Sequence, residues 1–105
     1  MMARKGYAGE YKIKNMLIDV HGRQNVIKLA IGQAADYIVF VPNQNAISKV
    51  VEVKEFHSNK FYPSAREKEQ FRRIMAFCDE HKCKSELWLV HPRRGPVMVP
   101  LSDFI

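Results

Sequence analysis

The sequence predicts an α/β fold in which a mixed five-stranded sheet is flanked by helices, in the chain order αβββαββ. Two segments carry apolar residues at helical spacing, and five short segments are apolar and rich in β-branched residues. Two carboxylates, Asp36 and Glu52, stand inside segments that otherwise have the composition of buried strands. The chain has 105 residues, of which 47% are hydrophobic and 27% charged, so we expect one domain over residues 1–105.

The first predicted helix covers residues 7–20 and ends at Gly22, a residue type common just after a helix. Its apolar stripe consists of Ile13, Met16, Leu17 and Val20. Glu10 shares this stripe, three residues before Ile13, although a carboxylate facing a core requires a partner. Glu10 is therefore a candidate functional residue.

Three strands follow, separated by a bend and a turn. Strands are predicted for residues 26–31, 36–41 and 48–55, with the bend at 32–35 and the turn at 42–45. A hairpin centred on Gln44 would pair Phe40 with Ser48, Ile38 with Val50, and Asp36 with Glu52. Cross-strand partners have Cβ atoms about 4.5–5.5 Å apart, so the two acids would repel each other unless a cation lay between them.

The second half begins with an irregular, basic and aromatic segment, residues 56–63. Ser64 and Glu67 then match a capping box that opens a helix ending near His81. The apolar stripe of this helix consists of Phe71, Ile74, Met75 and Cys78, and Glu67 and Gln70 continue it toward the N-terminus. Strands are predicted for residues 86–91 and 96–101, the latter at a sheet edge because of its prolines.

The two acids and the nearby lysine indicate phosphodiester chemistry. Lys54 follows Glu52 by two residues and points to the same face of the strand. Hydrolysis of a phosphodiester requires an activated water and neutralisation of an anion, and Mg²⁺ bound by carboxylates supplies both. We expect Asp36, Glu52, Glu10 and the backbone carbonyl of Val53 to hold the metal, and Lys54 to stabilise phosphoryl charge.

The acid–x–lysine tripeptide is common by itself and is also typical of an exposed strand face with a Glu–Lys pair. The preceding Asp36 and the helical Glu10 favour the metal site over that alternative. Gln70 is either at the edge of this site or an ordinary surface glutamine, and the sequence leaves both possibilities open.

The net charge of +6 favours a polyanionic partner such as nucleic acid, although a basic surface without such a partner has the same composition. Phosphate contacts are expected from Arg4, Lys5, Lys60, Arg66 and Arg73, with a solvated helix face as the alternative for Arg73.

Cys78 and Cys83 lack metal-ligand spacing and are expected to be reduced thiols. The sequence has no apolar run long enough to cross a membrane and no secretory signal, which indicates a cytoplasmic, nucleoid-associated protein.

The chain resembles the archaeal Holliday junction resolvases of the PD-(D/E)xK nuclease superfamily. The resemblance is carried by the basic segment 4–6 before Glu10, by Asp36 and Glu52-Val53-Lys54 at the family spacing, and by the later helix with Gln70. It implies a restriction-endonuclease-like core and a homodimer that uses Mg²⁺ or Mn²⁺ to nick two opposed strands of a four-way DNA junction.

Three features depart from the pattern of that family, and a fourth residue substitutes for one of its residues. One departure is the bend at residues 32–35, which lacks the serine that these resolvases often have there. Tyr11 stands where these resolvases usually have an arginine, and Ala35 stands where they often have a proline. Lys28 is the nearest candidate for a first-strand arginine that contacts DNA. A nuclease acting on other branched or linear DNA, or a non-catalytic nucleic-acid-binding module of the same fold, are the alternative functions.

Overall fold

A computed structural model describes residues 5–29 and 35–105, with the side chains of residues 5–8 left undescribed. The helices are α1 (Lys5–His21) and α2 (Ala65–His81), and the strands are β1 (Val26–Lys28), β2 (Tyr37–Phe40), β3 (Ile47–Glu55), β4 (Lys84–His91) and β5 (Arg94–Val99). Short 3₁₀ turns cover Arg23–Asn25 and Leu101–Phe104. The predicted α/β class and the order αβββαββ are confirmed.

The sheet has the strand order β1-β2-β3-β4-β5, so strands that are consecutive in the sequence are neighbours in space. All pairs are antiparallel except β3 and β4, which run parallel. A parallel pair needs a long crossover, and α2 supplies it. The strand β5 lies at an edge of the sheet, as its prolines predicted.

The two helices cover opposite faces of the sheet. On one face, Ile13 and Leu17 of α1 pack with Tyr37, Val39, Val51 and Val90. On the other face, Phe71, Ile74 and Cys78 of α2 pack with Ala35, Val50, Leu87 and Leu101. Because Val50 and Val51 are adjacent in β3 and are both buried, this strand lies in the core on both sides.

Gly9 allows α1 to approach the sheet closely. A Cβ atom added at Gly9 would lie 3.1 Å from Cγ1 of Val90 in β4, closer than ordinary van der Waals contact. The absence of a side chain therefore lets the helix rest on the sheet immediately beside Glu10. Within the described part of the chain, neither helix is long and apolar enough to cross a membrane.

The structure corrects several details of the sequence prediction. Val20 was assigned to the apolar stripe of α1, but it is 75% exposed because burial on this helix ends at Leu17. Ile38 pairs with Val50 as predicted, whereas Phe40 pairs with Ile47 instead of Ser48 because the register shifts after Val39.

The limits of several elements also differ from those predicted. The helix α1 extends to Lys5–His21 rather than 7–20, β4 begins at Lys84 rather than 86, and β5 is Arg94–Val99 rather than 96–101. The bend predicted at residues 32–35 and the end of the first predicted strand fall mostly outside the described residues. Leu101 leaves the sheet and is buried in the final 3₁₀ turn, which explains its apolar character.

Candidate active site

Asp36 lies immediately before β2 and is fixed to the neighbouring strand by two hydrogen bonds. Its backbone N–H donates to the carbonyl oxygen of Val51 over 3.1 Å. Its Oδ2 accepts a bond of 2.7 Å from the N–H of Val53. The ladder between β2 and β3 ends at the Tyr37–Val51 pair, so the predicted direct pairing of Asp36 with Glu52 is not part of it. Asp36 is nevertheless near Glu52, since its charge raises the pKa of that carboxyl group.

Glu52 lies in the middle of β3 and is 4% exposed. Its Oε2 is 3.2 Å from Nζ of Lys54. Its Oε1 is buried and has no hydrogen-bond partner. A buried carboxylate oxygen without a partner is destabilising by about 1–3 kcal/mol or more, so such atoms in folded proteins need an explanation.

The environment raises the pKa of both carboxyl groups. Burial raises the pKa of Glu52 to about 7, and the charge of Asp36 adds to this effect while Lys54 and Gln70 oppose it. Burial also raises the pKa of Asp36; the Val53 N–H opposes the increase, and Glu10 strengthens it. Asp36 is therefore close enough to disfavour the ionisation of Glu52, and Glu10 is close enough to disfavour the ionisation of Asp36.

Lys54 is held between two carboxylates from different elements. Its Nζ lies 3.2 Å from Oε2 of Glu52 and 3.5 Å from Oε2 of Glu67. The other oxygen of Glu67 accepts a bond of 2.8 Å from the N–H of Ser64, and the hydroxyl of Ser64 accepts one of 3.1 Å from the N–H of Glu67. The predicted capping box is thus confirmed, and it also positions the lysine.

Sequence reasoning missed this second role of Glu67. The available signal was that Glu67 shares the inward stripe of α2 with Gln70, which places its carboxylate toward the sheet. The structure also places Gln70 at the edge of the site, where its side chain interacts with Glu52 and lowers the pKa of that carboxyl group.

Glu10 reaches the site from α1. Its Oε1 forms an ion pair with Nζ of Lys28. The charge of Glu10 and its side-chain interaction with Asp36 raise the pKa of Asp36, which places Glu10 near that carboxyl group. Lys28 lies over the ring of Tyr37, with Nζ 5.2 Å from the centroid. In this arrangement Lys28 is the ion-pair partner of Glu10. A contact between Lys28 and DNA stays a prediction.

The three acids are connected pairwise, Glu10 to Asp36 and Asp36 to Glu52. Across residues 5–29 and 35–105, no three His, Cys, Asp or Glu side chains surround a common point at which a metal ion could be held. The donor chemistry nevertheless fits a hard divalent cation, because carboxylate oxygens are its preferred ligands and Glu52 Oε1 is free to bind one. The predicted role of the Val53 carbonyl stays a prediction; the structure shows instead that the Val53 N–H orients Asp36.

The other predicted phosphate contacts lie on the surface or outside the described residues. Lys60, Arg66 and Arg73 are exposed, the first in the segment after β3 and the other two on α2. Arg4 and the side chain of Lys5 fall outside the described part of the chain. Exposure makes contact with DNA possible for the first three residues, and their role stays a prediction.

Comparison with solved structures tests the predicted fold. A structure of Hjc, a Holliday junction resolvase from the archaeal hyperthermophile Archaeoglobus fulgidus, is similar to this chain with a TM-score of 0.68. The two chains share one fold. The match covers 94% of this chain and 75% of the resolvase, with 22% sequence identity. No family model matches the chain, and a search of curated proteins finds no match either.

Proposed function

We propose that this protein is a metal-dependent endonuclease that resolves four-way DNA junctions by paired nicks. The observation that carries the proposal is the state of Glu52, which is buried beside Asp36 and Lys54 with one carboxylate oxygen unpartnered. A catalytic cation would bind that oxygen and offset the repulsion between the two acids. The fold shared with a Holliday junction resolvase supports the choice of substrate.

In this proposal Asp36, Glu52 and Glu10 hold Mg²⁺ or Mn²⁺, together with the backbone carbonyl of Val53. The cation supplies an activated water and neutralises charge on the scissile phosphate. The N–H of Val53 fixes the orientation of Asp36 through its bond of 2.7 Å to Oδ2. Adjustment of the Glu10 and Glu52 side chains would bring the pairwise-connected acids around one centre.

Lys54 would place its ammonium group beside the phosphoryl oxygens. Its contacts with Glu52 and Glu67, over 3.2 Å and 3.5 Å, hold Nζ at the site. A positioned cation of this kind stabilises the charge that develops on the phosphate in the transition state. Gln70 borders the same space and would orient Glu52 or the attacking water.

Recognition would depend on the shape of the DNA backbone rather than on base sequence. The exposed Lys60, Arg66 and Arg73 would contact phosphates, with Arg4 and Lys5 adding charge near Glu10. A homodimer with twofold symmetry would present two active sites to the two opposed strands of a junction.

A nuclease acting on other branched or linear DNA is the second candidate. The observation in its favour is that Tyr11 replaces the arginine that junction resolvases usually have after the helical glutamate, and Tyr11 is 54% exposed. This residue could alter the contacts with the substrate while leaving the metal site unchanged.

The test uses a labelled four-way junction, a linear duplex of matched sequence and single strands, each with Mg²⁺ or with EDTA. The variants are Glu52→Gln and, as a matched control, Glu86→Gln, which changes a mostly buried carboxylate in the adjacent strand. We expect symmetric junction nicks that require Mg²⁺, survive Glu86→Gln and disappear with Glu52→Gln. Equal cutting of junction and duplex would favour the second candidate, and binding without any cutting would indicate a non-catalytic module.

A further inference from the structure

A cleft of 340 Å³ lies between the segment after β3 and the β4–β5 hairpin. Leu89 contributes to its lining and is the direct cross-strand partner of Lys54. Neighbouring strands are about 4.8 Å apart, so the cleft adjoins the candidate active site. Both lie on the face of the sheet that α2 covers, since Leu89 packs with the α2 core.

The walls of the cleft are aromatic. Phe61 meets Phe56 with ring centroids 6.0 Å apart and Phe104 with centroids 5.4 Å apart, in edge-to-face arrangements. The hydroxyl of Ser58 donates to the carbonyl oxygen of Lys60 over 2.6 Å and closes the loop that leads into this wall. Clefts of about 300–1,000 Å³ with apolar walls and a few polar groups are typical of ligand sites.

The rim of the cleft is cationic. Lys60 and Arg94 line it, and the guanidinium of Arg94 lies 5.8 Å from the centroid of the Phe56 ring. A more polar cavity of 580 Å³ adjoins it and adds His57 and Arg93. Within the described part of the chain, Lys60, Arg93 and Arg94 form no ion pair with a carboxylate. Their charge is therefore available to an anion from outside.

An aromatic cleft with a cationic rim is complementary to one nucleotide. A nucleobase offers a planar face to aromatic rings, and its phosphate offers an anion to Lys60 and Arg94. A base within a duplex cannot enter because it is stacked and paired on both sides. We propose that this cleft binds an unpaired DNA base adjacent to the phosphodiester bond that is cleaved beside Lys54. The choice of DNA as the ligand rests on the proposed function.

The test measures binding without metal or cleavage. The full chain is titrated in EDTA with a labelled oligothymidylate and with a strand of equal length made of abasic sites. The two strands carry the same phosphates and differ only in the bases. Base–aromatic stacking contributes about 1–3 kcal/mol per base, so wild type should prefer the oligothymidylate by about fivefold or more.

Two variants remove the proposed base site and two others address charge. Phe56→Leu replaces the ring with an aliphatic group, and Gly95→Leu places a side chain at the cleft where an added Cβ meets nothing within 4 Å. Both should abolish the preference for bases. Arg94→Ala should weaken binding of both strands, whereas Lys84→Ala, an exposed cation at the start of β4, should weaken neither appreciably.

Equal affinity of wild type for the two strands would overturn the proposal. So would a preference that survives Gly95→Leu, which is expected to fold because its added side chain meets open space. A change in oligomeric state on Gly95→Leu with unchanged DNA binding would identify the cleft as a contact between two copies and would also overturn it. Junction cleavage without a base preference contradicts only the cleft, and a base preference without cleavage contradicts only the nuclease.

Discussion

Two carboxylates on adjacent strands, Glu86 and Glu52, are both mostly buried but differ in whether their oxygens have hydrogen-bond partners. On the α1 side of the sheet, Glu86 Oε2 accepts a bond of 3.0 Å from Nζ of Lys49 and its Oε1 accepts one of 3.0 Å from Nε1 of Trp88. On the α2 side, Glu52 has one oxygen near Lys54 and the other without a partner. Both acids lie beside a lysine in β3, so their difference comes from the remaining neighbours.

We interpret this difference as one between a structural carboxylate, Glu86, and a carboxylate with a proposed function, Glu52. Both oxygens of Glu86 have hydrogen-bond partners. Its ion pair with Lys49, a residue 37 positions away in the sequence, links β3 to β4. Glu52 lies beside a second acid, Asp36, and its pKa is raised to about 7. Glu55 also has a buried carboxylate oxygen without a partner, so the second acid beside Glu52 and its raised pKa are what favour a functional role for Glu52.

Replacing each of the two lysines of β3 in turn should give the largest difference in cleavage rate. Lys54→Ala removes the ammonium group that we propose stabilises charge on the scissile phosphate, and we expect junction cleavage to fall by about 100- to 1,000-fold. Lys49→Ala removes the partner of Glu86 on the other face, so its cleavage rate per folded molecule should stay within about threefold. Single-turnover rates of the two variants at saturating Mg²⁺ make the comparison. Similar losses in both would mean that Lys54 has no special part in the reaction.

Replacing the two carboxylates should change stability in opposite directions. Glu86→Gln weakens the Lys49 pair and places an amide N–H₂ among donors, so the free energy of unfolding should fall by about 1–3 kcal/mol. Glu52→Gln removes a charge that burial and Asp36 disfavour, so the metal-free protein at pH 8 should gain about 3 kcal/mol. Urea denaturation in EDTA measures both. Destabilisation by Glu52→Gln would contradict the claim that Glu52 is a destabilised charge.

The pH dependence should follow from the raised pKa of Glu52. Folding raises this pKa from 4.5 to about 7, so the folded state keeps a proton that the unfolded chain releases. Stability of the metal-free protein therefore falls as pH rises from about 4.5 to 7, and the cost is constant above that range. The advantage of Glu52→Gln, about 3 kcal/mol at pH 8, should disappear near pH 4.5. An advantage independent of pH would exclude this origin.

The smallest expected effect concerns Glu67, which links the start of α2 to Lys54. A glutamine also completes a capping box, so Glu67→Gln should leave the unfolding free energy within about 0.5 kcal/mol of wild type. The variant loses the charge that holds Lys54, and we expect cleavage to fall by about five- to tenfold. Ser64→Ala is the matched control, since it should lower stability by about 1 kcal/mol and leave the cleavage rate of the folded protein nearly unchanged. Unchanged cleavage in Glu67→Gln would limit that residue to its capping role.

Local patterns made much of the fold and the centre of the site predictable. Asp36 and Glu52 were visible as acids in apolar strands, and the Ile38–Val50 rung that aligns them follows from the turn between their strands. The capping box of α2 was visible because Ser64 and Glu67 are three residues apart. In each case the interacting residues are close in the sequence or are joined by one short turn.

The features that escaped prediction depend on contacts between distant segments. The Lys49–Glu86 pair requires the parallel pairing of β3 with β4, which only the crossover through α2 creates. The register shift before Phe40 arises beside a turn in which Asn43 adopts a φ of 62°, so simple pairing about the turn failed there. Val20 is exposed because the sheet does not extend far enough to cover that end of α1. The spacing of apolar residues along a helix does not reveal where the covering sheet ends.

The most direct test of Glu52 as a metal ligand is the binding of a divalent cation by wild type, Glu52→Gln and Glu86→Gln. Free Mn²⁺ can be followed by electron paramagnetic resonance at pH 8 without DNA, so that neither substrate binding nor cleavage affects the result. We expect wild type and Glu86→Gln to bind Mn²⁺ with similar affinity and Glu52→Gln to bind it at least about tenfold more weakly. Equal Mn²⁺ affinity in wild type and Glu52→Gln would contradict the assignment of Glu52 as a metal ligand.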